Sequence, residues 1–115
     1  MPNYTDLSVT VKSTSDGNRY YINNIRQMPL ALTEGSVYRF DVSDSSVSGH
    51  ALLFSETRDG THNSGSAYST GVTTSGTAGS ADAYVEIVVA DNAPNLFYYC
   101  TNHSGMGGAV ETVGG

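Results

Sequence analysis

Along this chain, short stretches of alternating apolar and polar residues are separated by turn residues. Leu7, Val9 and Val11 alternate with Ser8, Thr10 and Lys12, the period-two pattern of a half-buried strand. Asp16-Gly17-Asn18 reads as a turn, and residues 19–23, centred on Tyr20-Tyr21-Ile22, as the returning strand of a β-hairpin. Alternation resumes over residues 28–32, where Pro29 suits a sheet edge. Glu34-Gly35 is a turn signal, followed by a strand carrying Val37, Tyr38, Phe40 and Val42. Residues 44–49 form a polar loop and residues 51–54 a short apolar run. Tyr84, Ile87, Val88 and Val89 mark a further strand, residues 91–95 a turn, residues 96–99 another strand and residues 109–113 a last short one. Seven or eight short strands at this spacing predict an all-β Greek-key β-sandwich with no helix longer than two turns.

Residues 55–82 break the pattern. Seventeen of these 28 are Ser, Thr or Gly, and the large apolar residues are Tyr68 and Val72. A structureless loop of this length is uncommon in a compact domain. Two readings follow: a flexible insertion, or an excursion with a short strand that packs on a neighbouring subunit. In either case the segment is expected to be the least stable part of the isolated chain, because few apolar side chains offset its conformational entropy.

Composition supports strands over helices. Ser, Thr and Gly supply 40 of the 115 residues, there is one Lys, and tyrosine is abundant at 8. The length suits a single domain spanning 1–115, and the 38% hydrophobic content in patterned runs argues against disorder. Five Lys and Arg against 11 Asp and Glu leave a net charge of -6, with no cation after Arg58. Nucleic-acid binding needs clustered cations, so it is not expected. No apolar run approaches the ~20 residues of a membrane helix. Met1-Pro2-Asn3-Tyr4-Thr5-Asp6 has neither a cationic start nor an apolar stretch, so no signal peptide is expected from it. A single cysteine excludes an internal disulfide framework.

The densest chemistry lies in Phe97-Tyr98-Tyr99-Cys100-Thr101-Asn102-His103-Ser104-Gly105-Met106-Gly107-Gly108. Cys100, His103 and Met106 fall within seven residues, at a turn between two expected strands. A thiolate, imidazoles and a weak thioether form the donor set that suits copper in a trigonal site. The second imidazole must come from His50 or His62. His50 opens the apolar run Ala51-Leu52-Leu53-Phe54 and so stands at a strand end beside the core, whereas His62 reads as a plain loop residue. Blander readings stand beside this one: Cys100 as a small buried apolar residue, Met106 as core filler, His50 as a hydrogen-bonded structural histidine. Tyr98 and Tyr99 point to opposite faces of a strand, which predicts one core ring and one exposed ring. A Cys–His nucleophilic pair needs a third orienting group, and no phosphate loop, Ser-His-Asp arrangement or zinc-hydrolase motif is present, so a non-enzyme is expected.

The Cys-x2-His-x2-Met loop resembles the ligand loop of the cupredoxins, the blue copper proteins, and is most similar to the short amicyanin type. The strand Gly35-Ser36-Val37-Tyr38-Arg39-Phe40 ahead of His50, the Leu53-Phe54 after it, and Gly108-Ala109-Val110 leading into a final strand agree with that plan over roughly residues 7–113. The resemblance implies a cupredoxin-like sandwich with copper ligands His50, Cys100, His103 and Met106. Many members carry an Asn directly after the first ligand histidine, whose side chain ties the two ligand loops together; here that position is Ala51.

The segments from Phe54 to His62, from Tyr68 to Ser80 and from Tyr98 to Gly107 further resemble a cupredoxin-like module of structural proteins in marine tailed phages, cyanophages especially. That resemblance implies a virion component, a head-decoration or tail- and fibre-associated protein. Its partners would be other virion proteins or copies of itself, and its copper-type site a metal staple or a vestige. The alternative is a soluble blue copper electron-transfer protein, working in a periplasm and docking through an apolar patch around its exposed ligand histidine. The polar Asn102, Ser104 and Gly105 around His103 make a poor patch of that kind.

Overall fold

In the computed structural model, which describes residues 4–114, ten strands form two sheets packed face to face. The all-β sandwich expected from the pattern is the fold, and its helical pieces are two 3-10 turns, Ser45–Val47 and Gly60–Asn63.

The chain opens with β1 (Thr5–Thr14) and β2 (Gly17–Ile22), an antiparallel hairpin that pairs Thr14 with Gly17 across a turn at Ser15 and Asp16. The turn sits one residue earlier than the Asp-Gly-Asn signal suggests, because Gly17 itself begins the returning strand. A two-residue strand, β3 (Ile25–Arg26), pairs back onto β2. β4 (Leu30–Thr33) crosses to the second sheet, and β5 (Val37–Asp41) returns to lie parallel to β1, with Leu7 opposite Phe40. β6 (Leu52–Ser55) crosses again, β7 (Val72–Ser75) and β8 (Tyr84–Val88) rejoin the first sheet, and β9 (Leu96–Cys100) and β10 (Gly108–Val113) complete the second. The strand orders are β3-β2-β1-β5-β8-β7 and β4-β10-β9-β6.

Alternation explains the core. Leu7, Val9, Tyr20, Ile22, Phe40, Val85 and Ile87 point inward from the first sheet, and Leu30, Leu32, Leu52, Phe54, Leu96, Tyr98 and Val110 meet them from the second. Aromatic pairs bridge the sheets: Phe40 and Phe54 stand edge-on at 5.4 Å, and Tyr20 and Tyr98 are tilted at 6.2 Å. Each such ring contributes roughly 1.5–3 kcal/mol by burial.

The Ser/Thr/Gly-rich excursion contains β7, which pairs with β8 of the same chain, Val72 opposite Ile87. Its earlier part folds over the outer face of the second sheet. That changes the fate of Tyr99, which is only 1% exposed. The expectation of one core ring and one exposed ring is therefore corrected. Tyr98 fills the core, and Tyr99, on the opposite face, lies beneath Gly60, where a Cβ would stand 2.6 Å from its ring. Gly60, at φ +51°, is a position where only a residue without a side chain fits.

Candidate metal centre

Local structure places each candidate ligand. Asp44 caps the first 3-10 turn by accepting hydrogen bonds from the Ser46 N–H at 3.0 Å and the Ser46 hydroxyl at 2.5 Å. Ser46 Oγ in turn accepts from the Val11 N–H, which pins the turn to β1, and Val47 is buried as its plug. The His50 N–H closes the segment by donating to the Val47 carbonyl at 2.9 Å. His50 thus stands two residues ahead of Leu52, and Leu52 faces Cys100 across the β6–β9 ladder. The antiparallel pairing brings a histidine and a cysteine fifty positions apart in sequence to one end of the sandwich. The Thr101 N–H donates to the Ala51 carbonyl and extends the tie past the strand ends.

His50 Nδ1 lies 3.8 Å from Cys100 Sγ, and His103 Nδ1 lies 3.9 Å from the same sulfur. The imidazole rings are 4.7 Å apart at 45°, and the ligand atoms of the three residues all lie within 4.8 Å of one another. An ion about 2.05 Å from an imidazole nitrogen and about 2.3 Å from a thiolate, at trigonal angles, sets a nitrogen–sulfur separation of about 3.8 Å. The observed spacings match. Burial grades across the group: Cys100 is enclosed, His50 is half-buried and His103 faces solvent. Burial, and then the neighbouring His103, hold His50 below the ordinary histidine range, which favours the neutral ring that a metal requires. Two imidazoles and a thiol at these separations are placed to bind a metal ion.

Three of the four expected ligands therefore converge. The fourth expected ligand, Met106, is fully buried in the core cluster that also contains Cys100, and its carbonyl accepts the Tyr20 N–H at 2.9 Å.

Supporting contacts appear that sequence reasoning did not find. Asn102 Nδ2 donates to the Gly49 carbonyl at 2.8 Å. This side-chain tie runs from the loop that follows Cys100 back to the residue before His50. The Tyr20 hydroxyl donates to the His50 carbonyl at 2.5 Å. His62 is more than the plain loop residue expected, since its Nε2–H donates to the Cys100 carbonyl at 2.7 Å. No sequence signal distinguishes these three from ordinary polar residues, because each acts on a backbone group brought near by folding. No protein-family model matches the chain, and no curated protein matches it significantly.

Proposed function

We propose that this chain is a non-enzymatic copper-binding β-sandwich module that serves as a structural component of a virion. The observation that carries the metal reading is the convergence of His50, Cys100 and His103 on one point. The donor set favours copper, since a thiolate with two imidazoles and a weak thioether suits Cu better than harder ions. His50, Cys100 and His103 would hold the ion, with Met106 as the further expected donor. The chemistry that copper supplies is one-electron exchange between Cu(I) and Cu(II). The chain's own contribution is to enclose the sulfur, keep His50 neutral and leave His103 exposed at the edge of the site.

The surroundings of that edge support the structural role over the carrier role. Asn102, His103, Ser104 and Gly105 are all exposed and polar or small. The exposed large apolar residues among those described are Ile25 and Val88, on β3 and β8. An electron carrier that docks through an apolar rim would present such residues around His103. The virion role itself rests on the likeness to cyanophage modules, with other virion proteins or further copies of this chain as partners. Mass spectrometry and antibody labelling of purified particles test it: the chain should be found on the particle surface in a fixed ratio to capsid or tail subunits. Its presence only in a periplasmic fraction would instead support the soluble electron carrier.

The metal reading has its own test. Copper(II) added to the reduced protein should give an intense thiolate-to-copper visible band. Cys100→Ser should abolish the band, and Met106→Leu should shift it while leaving binding largely intact. Affinity should fall with pH as protons compete for sulfur and imidazole. Absence of any band from the unmutated protein at neutral pH would leave a vestigial site in a retained fold.

A further inference from the structure

We propose that Asp59 and His62 are positioning residues for the metal centre, holding both ends of the loop that carries His103 from a single short turn of the excursion. This inference rests on the metal reading above. Asp59 immediately precedes the 3-10 turn Gly60–Asn63, and His62 lies on it. His62 Nε2–H donates to the Cys100 carbonyl at 2.7 Å, and Asp59 Oδ1 accepts the Gly105 N–H at 2.9 Å. The two anchored positions bracket His103. Between them Gly60 lies against the face of Tyr99, and the His62 ring stands edge-on to Tyr99 with centroids 6.4 Å apart. Within the four residues 59–62, Asp59, Gly60 and His62 therefore make four contacts with β9 and the loop that follows it.

The turn is itself held rigidly. The Gly60 N–H donates to the Thr57 carbonyl, and the Gly65 N–H to the Gly60 carbonyl. The buried Ser55 hydroxyl donates to the Ser66 carbonyl at 2.7 Å and accepts the Thr57 N–H at 3.0 Å. Ser55 is the last residue of β6, the strand that His50 leads into. One continuous stretch thus starts at His50, runs through a core strand and returns to clamp the loop that leads from Cys100 through His103. The loop it clamps, Thr101 to Gly105, is polar and has no apolar side chain to hold it. Without the clamp that loop would be held only by the Thr101–Ala51, Asn102–Gly49 and Gln27–Gly105 hydrogen bonds, and the extra ordering needed when the ion binds would be taken from the affinity. With it, the donors stand in place beforehand.

The test uses the full chain with copper(II) as probe, together with the alkylation rate of Cys100 in the metal-free protein. His62→Ala and Asp59→Ala should each lower copper affinity about tenfold, and shift the visible band, as loss of a hydrogen bond that orients a ligand does elsewhere. Each should also raise Cys100 alkylation about tenfold, since local opening of the loop exposes the sulfur. His62→Gln and Asp59→Asn, which keep a donor and an acceptor, should recover most of both effects, and Thr61→Ala in the same turn should change neither. If an alanine variant does not fold, His62→Phe keeps the ring on Tyr99 without the donor and should behave as the alanine variant would. Unchanged affinity, band and alkylation rate in the variants that lack the donor or acceptor overturn the proposal. If the unmutated protein shows no copper band, the metal reading fails alone, and alkylation of Cys100 still decides whether these residues hold the loop.

Discussion

Tyr20 is the residue on which the segments carrying His50 and Met106 meet. Its hydroxyl donates to the His50 carbonyl and its backbone N–H to the Met106 carbonyl, so one fully buried residue of β2 braces both. Burial, then the neighbouring Cys100, push its phenol far above the ordinary tyrosine range, and it remains a neutral donor throughout the working pH range. Tyr20→Phe keeps the ring against Tyr98 but orphans the His50 carbonyl. It should cost about 1–2 kcal/mol in urea unfolding with no change in the slope of the transition. Gly107 is a second residue-scale constraint. A Cβ there would stand 1.7 Å from the Tyr98 carbonyl oxygen, a position that no rotamer change can relieve. Gly107→Ala must displace β9 or the ligand loop, and a loss of more than about 3 kcal/mol is expected from the same measurement. A cost below 1 kcal/mol would show that the backbones are not so close.

At the scale of elements, the hairpin and the first 3-10 turn are both held by carboxylates. Asp16, in the β1–β2 turn, accepts a hydrogen bond from Arg26 of β3 at 2.8 Å, and that bond, followed by the charge of Arg26, lowers its pKa below the ordinary value. Asp44 is lowered likewise, by the hydroxyl and then the N–H of Ser46. A carboxyl with a depressed folded pKa contributes stability that is fully present above its unfolded value and is lost as pH falls through the folded one. The carboxylate part of the stability should therefore be flat above about pH 5 and decline below about pH 4, while His50, whose folded pKa is lowered by burial and then by His103, adds a separate loss as pH falls below the ordinary histidine value. Urea midpoints recorded across that window check it. Asp44→Asn, which keeps an acceptor but cannot titrate, should flatten part of the decline, and an unchanged profile would remove Asp44 from the account. The third charged contact, Arg39 with Glu86 at 2.7 Å, lies across β5 and β8, with the guanidinium stacked between the Tyr4 and Tyr84 rings. It fastens the outer face of the first sheet.

For the molecule as a whole, the excursion gives the most direct prediction. Its first part is hydrogen-bonded to Ser55 and packed on Tyr99, and its middle is paired as β7, but residues 76–82 carry only short side chains and turn backbone. Amide exchange on the free protein should be fastest there and on the open edge of β7, and slowest on β8 and β9. If the chain is built into a particle with a neighbour over this side, those amides should become protected after assembly, whereas equal protection in both states would remove the excursion from the interface. Much of the architecture was legible in the residues. Period-two alternation at Leu7–Val11, at Val37–Val42 and around Ile87 reports a local property of each strand, so the all-β class followed from it, and the spacing of Cys100 and His103 within one turn is local too. The ten strands exceed the seven or eight expected, because β3 is only two residues long and β7 has the same Ser/Thr/Gly composition as a loop. The burial of Tyr99, the bond from His62 to Cys100 and the tie from Asn102 to Gly49 had no local signature. Each joins groups that only the folding of the excursion over β9, or the pairing of β6 with β9, brings together. His50 stands between the two cases: its place at a strand end was readable from the apolar run after it, but its approach to Cys100 was decided by the register that sets Leu52 opposite that cysteine. Periodicity acts over a few residues and is written in the chain, whereas contact between distant segments depends on which strands pair and in what register, and that is determined only when the whole sandwich closes.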